Sequence, residues 1–380
     1  MPALAEVIRE LEGRYDPAWA EPWDAVGLVC GDPEAAVRRA LFAVDPVEVV
    51  VDEAISGGFD LLVTHHPLFL GGTTSVAATT AKGRVVHRLL TAGIALYVAH
   101  TNADVAWPGV SDALGDALGL TDLRPLQAQL GEPQDKLVTF APADAVDKLL
   151  DAMSEAGAGA IGDYTRCAFL AEGTGTFRAA EGANPTVGKP GEVTRAPEVR
   201  IEMVAPRARR SAVLRALIEA HPYEEPAWDV VELGAMPGPR GLGRVGALAE
   251  SMTLAAFTEH AARSLPPTAW GVRAAGDPRR VVRTVAVCGG SGGDLAADAR
   301  RAGADVLLTA DLKHHATSES VADLDICLVD AAHWATEWPW LASAARILSS
   351  PGLATTVETS VSTTVTDPWT LHAASTTGGT

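Results

Sequence analysis

The chain has 380 residues, enough at roughly 150 residues per domain for two or three domains with a substantial core. Apolar residues make up 47% of it and charged residues 21%, a globular balance that excludes a wholly disordered chain or a collagen-like fibre. Thirty Lys and Arg against 48 Asp and Glu give a formal net charge of −18, which disfavours nucleic acid and anionic membrane surfaces as partners but leaves room for a small anion beside a bound metal.

At the N-terminus Leu4, Val7, Ile8 and Leu11 recur at helical spacing, with no basic segment ahead of an apolar stretch, so no targeting leader is expected. No apolar run reaches the roughly 18 residues that a membrane span needs. The cysteines, Cys30, Cys167, Cys288 and Cys327, lie far apart without a C-x-x-C. That pattern excludes a zinc knuckle and fits a reducing compartment, so a cytoplasmic protein is expected.

Residues 1–128 alternate short apolar runs with helix-like stretches, and Leu41–Val44, Leu61–Val63 and Ile94–Val98 are the strand candidates. Residues 239–369 repeat the rhythm with Val282–Val287, Val306–Leu308 and Ile326–Val329. Such alternation predicts parallel strands with crossover helices. The runs F-D-L-L-V-T-H-H at 59–66 and A-D-V-L-L-T-A-D at 304–311 are alike, and each follows an A-V-D or A-V-C, as if the halves were related. Between them, residues 129–238 contain a second repeat: strand, Ala-Pro turn and amphipathic helix at K-L-V-T-F-A-P, then again at R-I-E-M-V-A-P. With strands near Arg166–Leu170 and Trp228–Leu233 the order becomes β-α-β-β-α-β. The Gly- and Pro-rich stretch from Ala171 to Glu198 reads as a long loop. The expected fold class is therefore α/β, a two-lobed core with mostly parallel sheets interrupted by an inserted ferredoxin-like domain. Thr355–Thr366 reads as a final edge strand, and residues 370–380 as a flexible tail.

Ligands of open α/β sheets bind beyond the carboxyl ends of the strands, and four predicted strands end in metal-ligand or acid/base residue types. The first end carries His65 and His66 before Pro67. Successive strand side chains diverge, so the pair serves two neighbouring ions better than one; a tandem His on an exposed loop is the alternative. The second carries His100 and Asp104, the aspartate a candidate ligand or else the cap of the next helix, and the histidine a ligand, a donor to one, or a proton carrier. The third carries Asp311, His314 and His315, where solvated surface competes with function. The fourth carries His333 and Glu337, which share a face at i,i+4 and are flanked by Trp334, Trp338 and Trp340. The glycine-rich V-C-G-G-S-G-G-D-L at 287–295 matches neither the Rossmann nor the Walker spacing and reads as a structural turn, with Asp294 capping a helix that starts near Leu295. His221, Glu224 and Glu225 read chiefly as a helix stop, or else as an extra contact near the site.

E-P-W-D-A-V-G-L at 21–28, T-H-H-P at 64–67, H-T-N-A-D at 100–104 and H-W-A-T-E at 333–337 occur in the order found in the Nif-three-like family of dinuclear-metal proteins, often labelled GTP cyclohydrolase type 2 homologues. The chain resembles that family along nearly its whole length, and its middle resembles the PII- and CutA-like insertion of the longer bacterial members. The resemblance implies His65, His66, Asp104, His333 and Glu337 as metal ligands, and a toroidal homohexamer whose sites face an internal cavity. One departure is Ala332, where the family usually has Gly. The mixed N/O donors suit two divalent ions per chain, Zn, Fe or Mn. Two such ions roughly 3.5–4 Å apart lower the pKa of a shared water toward about 7, the chemistry of hydrolysis. On this reading Glu337 bridges or orients the ions and His100 moves protons. The expected substrate is a small anion, with GTP pointed to by the family label. The competing expectation is a non-catalytic metal-loaded hexameric scaffold or sensor whose insert binds a metabolite or partner.

Overall fold

The computed structural model describes residues 1–349 and 357–373. Met1–Gln129, together with the described residues from Pro239 onward, makes one compact unit, and Leu130–Gly238 makes a second. In chain order the strands of the first part are β1 (Gly27–Cys30), β2 (Arg39–Ala43), β3 (Leu61–Thr64), β4 (Ala95–Val98) and β5 (Thr121–Leu130). Those of the inserted unit are β6 (Gln134–Ala141), β7 (Phe169–Arg178), β8 (Val193–Pro206) and β9 (Trp228–Glu232). The chain then returns with β10 (Pro237–Thr253), β11 (Val272–Ala275), β12 (Val281–Val287), β13 (Val306–Thr309), β14 (Cys327–Ala331) and β15 (Glu358–Val361).

The first unit is built on two mixed sheets, with strand orders β1-β4-β3-β2-β15 and β11-β14-β13-β12-β10-β5. In the first, β15, β2, β3 and β4 run parallel and β1 closes the edge antiparallel beside β4. The second places β12, β13 and β14 parallel, with β11 antiparallel beside β14. The two three-stranded centres are thus wound alike, each with an antiparallel strand on the same side. The likeness of 59–66 to 304–311 falls on the middle strand of each, β3 and β13.

Side-chain alternation decides what each face packs against. Leu61 and Val63 of β3 join a core that also contains Val306 and Leu308 of β13, so the inner faces of both sheets share one apolar interior. Leu62 turns the other way and meets Val50, Val51 and Ala54 of helix Glu48–Ser56, with Val85 and Leu89 of helix Ala81–Ala92. Leu307 likewise meets Ala296 and Ala299 of helix Ala296–Arg301. Strands buried on both faces explain why the sequence there is a continuous apolar run. None of the described helices is long and apolar enough to cross a membrane, and all four cysteines are free.

The inserted unit runs β6, helix Val146–Glu155, β7, β8, helix Arg210–Ala220, β9, with an antiparallel sheet of order β7-β8-β6-β9. One face carries Leu137, Ile201 and Met203 onto Leu149, Met153, Val213 and Leu217 of the two helices.

Three expectations need correction. The stretch from Ala171 to Glu198 is a loop only over residues 179–192: on either side β7 and β8 form a hairpin of ten residue pairs, from Phe169–Glu202 to Arg178–Val193. Thr174, Thr176 and Phe177 are good strand formers, and the ladder satisfies the backbone that the glycines leave bare. Asp294 does not cap a helix; it lies in a 3-10 turn, Gly293–Leu295, that precedes helix Ala296–Arg301. The final edge strand is confined to Glu358–Val361, beside β2. Its expected first residues, Thr355 and Thr356, and most of the expected tail, 374–380, lie outside the described residues.

A fully buried ion pair joins the two parts of the first unit. Arg244 on β10 meets Asp112 through Nε and Nη2 at 2.9 and 2.8 Å, and its remaining donors go to the carbonyls of Gly241, Gly243 and Ala106. Removing the carboxylate leaves a buried guanidinium charge with only backbone carbonyls to offset it. Asp112→Ala is expected to cost about 3–5 kcal/mol of stability, read by urea unfolding, whereas a loss under 1 kcal/mol would show that the site admits water.

Candidate metal centre

The side chains gather where the carboxyl ends of both sheets meet the shared core. After β3 the chain stays tied to β2, because the His65 and His66 amides donate to the carbonyls of Ala43 and Val44 at 3.2 and 2.9 Å. Thr64 Oγ1 donates to the His66 carbonyl at 2.9 Å, and Pro67 then turns the chain. After β4, His100 starts the short helix Thr101–Val105, which carries Asp104. After β14, His333 starts helix His333–Ser349, and Glu337 follows one turn later.

The pieces converge. His333 Nε2 is 2.9 Å from Glu337 Oε1, His65 Nε2 is 3.4 Å from the same oxygen, and His66 Nε2 is 3.1 Å from Oε2. Asp104 Oδ1 is 3.6 Å from His65 Nε2. The His100 ring lies 5.2 Å from that of His65 and 5.7 Å from that of His66, centroid to centroid. Two donor sets, His65 with His66 and His100, and His66 with His333 and Glu337, each have ligand atoms within 4.8 Å of one another. His66 belongs to both sets.

Every imidazole in the cluster is held by Nδ1. His65 Nδ1 donates to the Ala99 carbonyl at 3.0 Å, which fixes the tautomer and leaves the lone pair on Nε2. His66, His100 and His333 bind Asp45, Asp24 and Asp311 through Nδ1 at 2.7, 2.8 and 2.7 Å. A carboxylate or carbonyl behind each ring is the support that metal-ligating histidines use. Two buried atoms make no hydrogen bond: Nε2 of His65 and Oε2 of Glu337, the latter near His66 but not aligned with it. Buried polar atoms are rarely left so, and an ion between them would satisfy both, so the residues fit a divalent metal.

Charge follows the same logic. Burial opposes ionisation of Glu337, yet His66, His65 and His333 outweigh it and hold the carboxyl well below the usual range. Burial also opposes the charge on His66 and His333, but Glu337 with Asp45 lifts the first to about 11, and Glu337 with Asp311 lifts the second to about 9. Asp104 rises to about 6 through burial and the nearby Glu337 charge, against the pull of His65. His100 is lowered by burial and by His65, its bond to Asp24 notwithstanding. Without a metal, protons do the neutralising.

The glycine-rich turn lines the cluster. Gly290 has φ +64°, and a Cβ there would lie 2.6 Å from Glu337 Oε1 and 3.1 Å from His333 Nε2. The amides of Gly289, Gly290 and Gly292 are committed to Ser111, Thr336 and Thr309 hydroxyls, so the turn is no anion cradle. Of the third strand end, only Asp311 reaches the cluster; His314 and His315 open an exposed helix and face each other. In the inserted unit His221 donates from Nε2 to the Phe140 carbonyl and accepts the Tyr223 amide at Nδ1, while Glu224 and Glu225 are exposed. Asp24, Asp45 and Gly290 are the residues that sequence reasoning did not assign, although Asp24 lies inside the E-P-W-D motif.

The Duf34/NIF3 (NGG1p interacting factor 3) family model matches residues 2–368, and the chain belongs to that family. It is 47% identical over 371 residues to a Mycobacterium leprae protein named GTP cyclohydrolase 1 type 2 homolog, covering 97% of this chain and 96% of that one. A Streptomyces coelicolor protein of the same name is 41% identical, over 99% and 96%. Among solved structures, a Bacillus cereus protein related to NIF3 is 36% identical with a TM-score of 0.77, and a Staphylococcus aureus protein is 29% identical with a TM-score of 0.81; each comparison covers 98% of this chain and 99% of the other.

Two outcomes follow from this geometry. Because His66 and His333 are both raised above pH 7, a divalent ion entering the cluster must displace their protons, so its apparent affinity should rise with pH through about 9, where His333 titrates, and on toward about 11, where His66 does. Calorimetry of metal binding at pH 7 in buffers of different ionisation enthalpy should register net proton release, and a buffer-independent heat would contradict it. Gly290→Ala should weaken metal affinity by about 10–100-fold through the displaced Glu337, measured by competition with a chelating dye.

Proposed function

We propose that the protein is a dinuclear-metal-dependent hydrolase of a small anionic substrate of nucleotide type. The observation that carries this reading is the pair of buried, unpartnered atoms, His65 Nε2 and Glu337 Oε2, inside a cluster whose four imidazoles are all oriented through Nδ1. His65, His66, Asp104, His333 and Glu337 are the ligands on this reading, with Glu337 offering one oxygen to His65 and His333 and the other to His66. Two divalent ions, Zn, Fe or Mn, would supply Lewis acidity and an acidified water.

The chain's own residues supply the rest. His100 has its Nδ1 engaged by Asp24 and is held below its ordinary pKa, so at pH 7 it is a neutral ring with Nε2 free to accept a proton. Asp45 and Asp311 fix the rings of His66 and His333 and oppose their loss of orientation when substrate arrives. The relatives named for GTP cyclohydrolase make GTP the first substrate to test. A homohexamer, implied by the family resemblance, is part of the proposal, and light scattering should find six chains per particle.

The test is turnover. Protein reloaded with Zn, Mn or Fe and given GTP or other nucleotides should release a hydrolysis product, stop on chelation, and recover on metal addition. His100→Ala should keep its metal and lose about 10²–10⁴-fold in kcat, as expected for a lost proton carrier. Full metal content with no turnover of any nucleotide would contradict the hydrolase and leave a metal-binding scaffold.

A further inference from the structure

Beside the cluster lies a pocket of about 270 Å³ whose wall includes His66 and His333 and whose other sides carry Trp270, Trp334, Trp369 and Asp367. That volume is below the roughly 300–1,000 Å³ of sites for whole drug-sized ligands, and suits a single ring system.

Its chemistry is uneven. Asp367 is 7% exposed, and its Oδ2 is buried with no hydrogen-bond partner. The carboxylates near it are already used: Asp45 takes His66 on one oxygen and the Thr366 hydroxyl on the other, and Asp311 takes His333. No Lys or Arg lines the pocket. What is missing beside Asp367 is therefore a donor. Next to it stands an aromatic surface. Trp270 has the Arg273 guanidinium 4.6 Å over its ring, Arg273 is fixed to Asp330 at 2.7 Å, and Trp369 lies 5.4 Å from Trp270 with the rings 35° apart. Trp369 remains 58% exposed, so it offers area for a flat partner. An indole gives broad contact at little conformational cost, and a buried acceptor rejects any ring that cannot donate to it.

We propose that this pocket is the base-recognition site of the substrate, holding a flat nitrogen heterocycle against Trp369 with its N–H donors on Asp367. Asp367 is thereby a specificity-determining residue. Among purines the pattern selects guanine, whose ring N–H and amino group are adjacent donors, over adenine, which presents a bare ring nitrogen beside its amino group. The inference rests on the nucleotide reading above but not on turnover, because a base can bind without metal.

The test uses the full-length protein stripped of metal by chelation, with binding of guanosine, inosine and adenosine followed by tryptophan fluorescence and calorimetry. Guanosine is expected to bind at least tenfold tighter than adenosine, with inosine between them. Asp367→Asn, nearly the same in shape but with a donor in place of one acceptor, should lose that preference by weakening guanosine about tenfold and leaving adenosine no weaker; Trp369→Ala should weaken all three. Equal binding of guanosine and adenosine, guanosine binding indifferent to Asp367→Asn, or no nucleoside binding would each overturn the inference. Selective binding without turnover under any metal would keep the pocket and sink the hydrolase; turnover without base selectivity would do the reverse.

Discussion

A carboxylate taken out of water must be neutralised, and Glu337 sets the terms for the whole centre. It is 3% exposed and surrounded by three imidazole nitrogens at 2.9–3.4 Å. Of those rings His65 is fully buried and His66 and His333 are partly so, and each has an acceptor behind it, which Ala99, Asp45 and Asp311 supply. The result is layered: a central anion, a shell of imidazoles, and an outer shell of acceptors contributed by both sheets. Protons satisfy the middle shell when nothing else does, but they leave His65 Nε2 and Glu337 Oε2 without hydrogen bonds. A divalent ion is a better answer to both atoms, because it needs no proton on either.

The doubled architecture explains how one small volume collects so many ligands. The strand triplets β2-β3-β4 and β12-β13-β14 are wound alike and share the interior between them, so their carboxyl ends approach one another. Equivalent positions have taken different chemistry. His66 after β3 corresponds to Asp311 after β13, and the structure makes these two parts of a single network through His333. By strand register, Ala43 at the end of β2 corresponds to Cys288 after β12, a buried thiol that burial pushes up to about 12 and that stays neutral. The Arg244–Asp112 pair joins the halves next to Ser111, which accepts the Gly289 amide.

Much of this was legible in the sequence. The parallel strands announce themselves as apolar runs, because each is buried on both faces, and four of them end in His, Asp or Glu. The His333 and Glu337 pair stands out not by helical spacing alone but by coming just past an apolar strand among three tryptophans. Less legible were contacts that join residues far apart in the chain: Asp24 to His100, Asp45 to His66, and the backbone of Gly290 against Glu337. No local pattern encodes them, since they exist only once the sheets are assembled. The hairpin of β7 and β8 was hidden for another reason. Its glycines and threonines lie largely exposed, so the strand carries no hydrophobic period and its pairing rests on backbone hydrogen bonds.

The central claim is that this cluster holds two metal ions through Glu337 and its imidazoles. Elemental analysis of untagged protein, purified without added metal and compared with Glu337→Ala, tests it most directly. The account predicts close to two first-row ions per chain, falling sharply in the variant. Well under one ion per chain, unchanged in the variant and not restored by added metal, would contradict it.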